Sequence, residues 1–130
     1  MNVTQDIYER LSELQRGALA TFCELVTVTN RDKSTYRVAD TASHILNTWD
    51  GGNGNSDIFL PPVADNDGRL IAFHSDSTIS ANTYVKLQPD TNDTGVTIDG
   101  ASSYDFNRAY DGITILSNGS NWFIIQKKEK

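Results

Sequence analysis

Cysteine and glutamate are scarce in this chain of 130 residues, and each scarcity excludes a class of structure. The one cysteine, Cys23, cannot form a disulfide within the chain and cannot build a zinc site alone. Only four glutamates occur, and Glu9, Glu13 and Glu24 all lie in the first 24 residues, so strong helix formers are concentrated at the N-terminus. No apolar run approaches the roughly 20 residues of a membrane helix, and the N-terminal residues lack the apolar core of a signal peptide.

The charge and the polar composition narrow the class further. The formal net charge is −6 and the pI is about 4.7, which argues against a nucleic-acid-binding surface. The chain contains 11 Ser, 13 Thr, 11 Asn and 13 Asp, residues that favour turns and caps over helix interiors. A hydrophobic fraction of 38% is nevertheless too high for a chain disordered throughout. The composition therefore predicts one domain made mainly of strands and turns.

Residues 4–26 show the one helical period in the sequence. Apolar side chains recur there every three or four residues, which places them on one stripe of a helix: Ile7, Leu11, Leu14, Ala18, Phe22 and Leu25. Two interpretations stay open, a helix packed on its own domain and a docking or oligomerisation helix, because the first four positions also fit a heptad seam. Residues 25–29 (LVTVT) are rich in β-branched side chains and are alternatively the start of a strand.

The rest of the chain alternates short strand patterns with turn signals. Residues 35–38 are a candidate strand, and residues 42–49 are either a strand or one helical turn. A glycine-rich stretch, residues 50–56, separates a predicted N-terminal arm (1–50) from a predicted β domain (57–127). Within that domain six segments are predicted strands: 57–60, 69–74, 82–88, 96–98, 113–115 and 122–125. Their spacing predicts a mainly β fold, an antiparallel β-sandwich or jelly-roll-like domain preceded by a short helical arm.

No segment carries a catalytic signature. The nucleophile motif G-x-S-x-G is absent, and His44 and His74 stand outside any ligand motif. Asp65 and Asp67 form a weak calcium candidate, because D-x-D-G is only a fragment of a calcium loop and the simpler interpretation is a β-turn. The sequence therefore predicts no enzyme, no catalytic residue, no cofactor and no metal centre.

Three aromatic residues are candidate ligand contacts. Trp49 lies beside the glycine-rich stretch and is predicted to be exposed, and Tyr84 and Tyr104 occur in the β region. Aromatic rings can stack on sugars or present a surface to a partner. A free carbohydrate-binding module is accordingly one functional alternative.

Residues 57–125 resemble a β module that recurs in virion proteins of tailed bacteriophages, especially fibres, spikes and head decorations. The most distinctive parts are an Asp-Gly turn after a Thr-Ile strand and an ending of the form Asn-Gly-x-x-Trp. The resemblance follows an ordered series of segments: 58–61 (IFLP), 67–71 (DGRLI), 84–89 (YVKLQP), 97–100 (TIDG), 113–116 (ITIL) and 117–125 (SNGSNWFII). Residues 1–50 lie outside it.

The resemblance implies a non-enzymatic, homotrimeric structural protein of the virion, assembled in the bacterial cytoplasm without nucleic acid or membrane as partner. A capsid decoration or head-spike protein is the preferred expectation, with the N-terminal arm bound to the major capsid protein. The charge agrees, since residues 1–40 sum to −1 and residues 41–124 to −7. The alternative is a tail-fibre or tail-needle tip that contacts tail proteins and a host receptor.

Overall fold

The described part of the chain contains nine short strands and one 3-10 helix, joined by turns and loops. The computed structural model describes the backbone of residues 24–28, and both backbone and side chains of residues 35–49 and 54–128. The 3-10 helix is Val63–Asn66. The strands are β1 (Glu24–Val28), β2 (Thr35–Arg37), β3 (Ala42–Asn47), β4 (Gly54–Phe59), β5 (Leu70–Ser75), β6 (Thr83–Gln88), β7 (Tyr104–Phe106), β8 (Gly112–Ser117) and β9 (Trp122–Lys128).

The strands form two mixed sheets between which the chain alternates. The five-stranded sheet has the order β1-β3-β5-β8-β9, and the four-stranded sheet has the order β2-β4-β6-β7. From β1 to β6, each strand lies in the opposite sheet from the one before it, so neighbours within a sheet run parallel. A strand in the other sheet thus makes the crossover that a helix makes in a βαβ unit. The last three strands form antiparallel pairs: β7 pairs with β6, β8 pairs with β5, and β9 pairs with β8.

The core lies between the two sheets and is filled by alternate side chains of the strands. In β6, for example, Val85 and Leu87 are wholly buried, whereas Tyr84 and Lys86 point outward and are half-buried. Phe106 packs tilted against Phe73 with ring centroids 5.6 Å apart, which joins β7 of one sheet to β5 of the other. The period of two along each strand therefore produces one shared core and two outward faces.

The mainly β prediction is confirmed, but the pairing differs from the antiparallel prediction. Four of the seven ladders between the described strands are parallel. Asp67 and Gly68 form a turn, as the sequence indicated. This turn leads the chain from one sheet to the other and does not close a hairpin. Alternation along a strand specifies which side chains face inward, and it is the same in parallel and antiparallel pairs.

Several boundaries also differ from the sequence predictions. The predicted strand at 96–98 is reduced to a bridge at Ile98, and the strand β7 was not predicted. β1 coincides with the strand interpretation of residues 25–29, whereas the predicted helix before it lies outside the described residues. Val38, Ile45 and Trp49, from the N-terminal side of the predicted boundary at residues 50–56, lie in the same core as the later strands.

Replacing an inward side chain should cost far more stability than replacing its outward neighbour. Leu87→Ala should lower the free energy of unfolding by about 2–5 kcal/mol, because Leu87 is fully buried and the change leaves a cavity. The matched control is Lys86→Ala, which should change it by less than about 0.5 kcal/mol, as is usual for surface sites. Urea denaturation followed by tryptophan fluorescence measures both, and equal losses would contradict the assigned inward and outward sides.

Candidate docking and binding surfaces

The outward side of the five-stranded sheet presents a group of exposed apolar side chains among polar ones. We call it the apolar face. Among the residues that the structure describes, three of the four most exposed large apolar side chains lie on it or at its edge, namely Leu70 (51% exposed), Phe123 (39%) and Ile125 (54%). Leu70, Leu116 and Phe123 form one row across β5, β8 and β9, because they are register partners. On the four strands of this sheet whose side chains the structure describes, the outward residues include His44, Leu46, Leu70, Ala72, His74, Gly112, Thr114, Leu116, Phe123, Gln126 and Lys128.

A shallow groove crosses the apolar face from β3 to β9. Its volume is about 410 Å³, and its lining includes residues from four strands. Ala72 and Gly112 lie in the middle strands, where their small size lowers the floor of the groove. Lys128 at the β9 end is the one lysine in the lining, which includes no arginine, aspartate or glutamate among the described residues. The groove therefore suits an apolar occupant better than a charged one.

The outward side of the four-stranded sheet is polar. We call it the polar face. Asp57 accepts hydrogen bonds there from Asn55 and Gln88, both at 2.8 Å. Arg37 lies over the Phe59 ring, 5.2 Å from its centroid, and pairs with Asp90 at 3.0 Å. Neighbouring polar side chains on this face form hydrogen bonds and an ion pair with one another, so the face can remain exposed to solvent.

Arg69 ties the turn before β5 to the turn before β3. Its guanidinium donates to the backbone oxygens of Ala39 and Ala42 and to Oδ1 of Asn66. Burial lowers the pKa of Arg69, and the nearby charge of Asp40 opposes that effect. The guanidinium remains a cation at physiological pH. Its role is structural, because its hydrogen bonds to backbone oxygens hold the two turns together.

A second polar corner joins β7 to the start of β8. The Tyr104 hydroxyl donates to Oδ2 of Asp111 at 3.1 Å, and the Gly112 N–H donates to Oδ1 of the same carboxylate at 3.0 Å. Asp111 is only 5% exposed, so these donors compensate for the burial of its charge. Lys127 Nζ lies 5.3 Å from the centroid of the Tyr104 ring. Burial raises the pKa of Tyr104, and the charge of Asp111 raises it further.

The predicted ligand contacts do not converge on one site. Trp49 is only 7% exposed and belongs to the core, so the prediction that it is exposed is wrong. Its backbone N–H donates to the Thr78 hydroxyl oxygen at 2.8 Å. Tyr84 lies on the polar face, whereas the ring of Tyr104 packs edge-on against Phe106 with centroids 4.9 Å apart.

The two weak calcium candidates lie at the protein surface. Asp65 and Asp67 are exposed at the rim of an open depression near Arg69, and no cluster of three metal-ligating side chains occurs in residues 35–49 and 54–128.

Of the predicted docking residues, Leu25 lies in β1, an edge strand of the five-stranded sheet. The other predicted docking residues lie outside the described residues: Ile7, Leu11, Leu14, Ala18 and Phe22.

The apolar face was not predicted from the sequence. The signal was the presence of consecutive apolar residues in strands that should alternate, Leu70 with Ile71 and residues 122–125 (WFII). In each run one side chain fills the core, while Leu70 and Phe123 face outward. Trp122, the first residue of the second run, is wholly buried in the core.

Comparison with known proteins identified no relative of this chain. The chain matches no protein-family model, no curated protein and no solved structure. Among the residues that the structure describes, no helix has the length and apolarity needed to cross a membrane.

Removing the Tyr104 hydroxyl should destabilise the fold and change its response to alkali. Tyr104→Phe should lower the free energy of unfolding by about 1–3 kcal/mol at pH 7, because Asp111 loses a donor while it stays buried. The pKa of Tyr104 is raised in the folded state, so its contribution is constant below the ordinary value of 10.0 and declines as the pH rises above it. The variant should therefore lose less stability than the wild type above pH 10.

Tyr84→Phe is the matched control for this experiment. The Tyr84 hydroxyl has no hydrogen-bond partner among residues 35–49 and 54–128, so its removal should change stability little. Urea denaturation from neutral to alkaline pH measures both variants. Equal losses at Tyr84 and Tyr104, or an unchanged alkaline response in Tyr104→Phe, would contradict the role assigned to the Asp111 pair.

Proposed function

We propose that this chain is a structural protein of a bacteriophage virion, a capsid decoration or head-spike protein without enzymatic activity. Its N-terminal arm binds the shell formed by the major capsid protein, and its β domain, of the sandwich or jelly-roll kind, projects outward. On the shell it acts as a homotrimer, assembled with the particle in the bacterial cytoplasm. It binds no nucleic acid and inserts into no membrane.

The observation that carries this proposal is the way two distinctive motifs of the resemblance contact each other. The Asp99 N–H donates to the Trp122 carbonyl oxygen at 2.8 Å, and the Trp122 N–H donates to the Thr97 carbonyl oxygen at 2.9 Å. Asp99 and Gly100 both have positive φ, at 53° and 85°, which makes the tight turn that Asp-Gly favours. The Asp-Gly turn and the final Trp are therefore parts of one local unit around a wholly buried indole.

The distribution of charge supports the proposed orientation. Residues 35–49 and 54–128 contain ten aspartates against six arginines and lysines, which keeps a projecting domain soluble. Residues 1–23 are nearly neutral and contain the apolar stripe. A decoration protein that buries surface across neighbouring shell subunits stabilises the assembled shell by mass action, because it binds the assembled state alone.

Binding to shells should depend on the apolar stripe of the arm. The full chain should sediment with empty shells of the phage that encodes it, and a Leu11→Asp, Leu14→Asp variant should bind at least about 100-fold more weakly. Each buried leucine contributes about 1.5–3 kcal/mol, and every 1.4 kcal/mol is a factor of ten in affinity. Point substitutions are preferable to deletion of the first 25 residues, which would also remove the start of β1.

Glu13→Gln is the matched control, because Glu13 lies on the opposite side of the predicted helix from the stripe. It should bind shells as the wild type does, and circular dichroism should show the same β content in all three proteins. A wild-type chain that stays in the supernatant would overturn the decoration proposal. Undiminished binding by the stripe variant would show that the arm is not the docking element.

A further inference from the structure

We propose that a pocket at the corner between β7 and β8 binds one uncharged sugar ring, such as the terminal unit of a glycan. We call it the corner pocket, and its volume is about 190 Å³. The inference goes beyond the proposed function and does not rest on it, because it concerns a pocket within the β domain alone. The residues that line the pocket are Tyr104, Asp105, Asn107, Arg108, Asp111 and Lys127.

The floor of the corner pocket is held in place by the fold. The buried Asp111 carboxylate accepts a hydrogen bond from the Tyr104 hydroxyl at 3.1 Å, and its backbone oxygen accepts one from the Ser75 N–H at 2.8 Å. The next residue, Gly112, packs so closely on β5 that a Cβ there would lie 2.9 Å from the Phe73 carbonyl oxygen. A ligand would therefore meet a floor that is already ordered, which lowers the entropic cost of binding.

The rim of the pocket has hydrogen-bonding groups that the described protein does not use. The side chains of Asp105, Asn107 and Arg108 form no hydrogen bond or ion pair with residues 35–49 and 54–128. The carboxylate accepts, the guanidinium donates, and the amide does both. On the polar face, by contrast, Asp57 and Arg37 are paired with neighbours. The rim thus offers both donors and acceptors to a ligand.

The loop that carries this rim has an unusual backbone at Tyr110. Its φ is 63°, and the one other described non-glycine residue with positive φ is Asp99, in an Asp-Gly turn that tolerates it. A bulky side chain is rare in this conformation, and strain of this kind is concentrated at functional sites. Tyr110 is 44% exposed, so burial in the core does not explain it. Its ring is available to stack on the apolar side of a sugar.

Charge and size indicate the class of ligand. The lining contains the carboxylates of Asp105 and Asp111 and the cations of Arg108 and Lys127, so its formal charges cancel. An anion or a cation has no net attraction to such a lining, whereas hydroxyl groups both donate to and accept from it. Pockets for drug-sized ligands have volumes of about 300–1,000 Å³, so this smaller pocket has room for one ring and not for a long chain.

Titration of the 15N-labelled full chain with small glycosides tests the corner pocket by NMR. The probes are the methyl glycosides of glucose, galactose, mannose and N-acetylglucosamine, with glucuronate as the anionic and glucosamine as the cationic comparison. At least one neutral glycoside should move the amide resonances of residues 104–112 in a saturable manner. Contacts this few correspond to a Kd in the millimolar range, so the titration extends to about 100 mM.

Removing the rim groups should weaken sugar binding without unfolding the domain. Asn107→Ala with Arg108→Ala should raise the Kd at least about tenfold, because the ligand loses hydrogen bonds to an amide and to a charged group. The matched control is Asn92→Ala. Asn92 is also exposed, but it lies beside Asp90, which pairs with Arg37 at the opposite edge of the four-stranded sheet. The control should bind as the wild type does, and all three proteins should have the same urea midpoint.

Tyr110→Gly separates a binding role from a structural one. Glycine adopts a positive φ without strain, so the urea midpoint should be unchanged or higher. The Kd for the glycoside should rise by about two- to tenfold, because the stacking ring is lost. A lower midpoint with unchanged sugar binding would show that the ring stabilises the fold and does not touch the ligand, which contradicts its assigned role.

Three results of the titration would overturn the proposal. The first is the absence of any saturable shift with the neutral glycosides, and the second is a set of shifts outside residues 104–112 and the adjoining part of β9. The third is tighter binding of glucuronate or glucosamine than of every neutral glycoside, because the pocket would then recognise charge. Sedimentation with shells is a separate measurement, so failure of this proposal is distinguishable from failure of the proposed function.

Discussion

The burial of one apolar core between two sheets is the interaction on which the rest of this structure depends. Because the chain changes sheet after each of its first strands, residues distant in sequence, such as Ile45 in β3 and Ile115 in β8, reach the same interior. The same alternation produces parallel pairs without helices and leaves two outward faces. The contrast between those faces, one polar and internally satisfied and one with exposed apolar side chains among polar ones, follows from which residues occupy the outward positions.

Much of this architecture could be read from the sequence because alternation is a local property. The strands β4, β5, β6, β8 and β9 lie close to their predicted positions. The turn between β8 and β9 is also held by a local interaction, because the Asn118 side chain accepts two backbone N–H groups. Pairing could not be read, because inward and outward positions are the same for parallel and antiparallel neighbours. The burial of Trp49 could not be predicted, because its neighbours in the core come from segments distant in sequence.

The candidate surfaces show the same division between local and non-local information. The apolar stripe of residues 7–22 is visible as a period, and the surplus of apolar residues at Leu70 and Phe123 is visible as a break in alternation. That Leu70, Leu116 and Phe123 form one row is a consequence of sheet order, which no local pattern contains. The carboxylate of Asp111 likewise has its partner Tyr104 through the geometry of a corner that was not predicted.

We propose above all that this chain is part of a virion head. Immunogold labelling of intact particles of the phage that encodes it, with antibodies raised against the β domain, tests this most directly. The account predicts label spread over the head, because the acidic β domain projects from the shell. Label confined to the tail tip would replace the decoration function with receptor contact. Particles that bind no antibody and contain no peptide of this chain by mass spectrometry would contradict the account altogether.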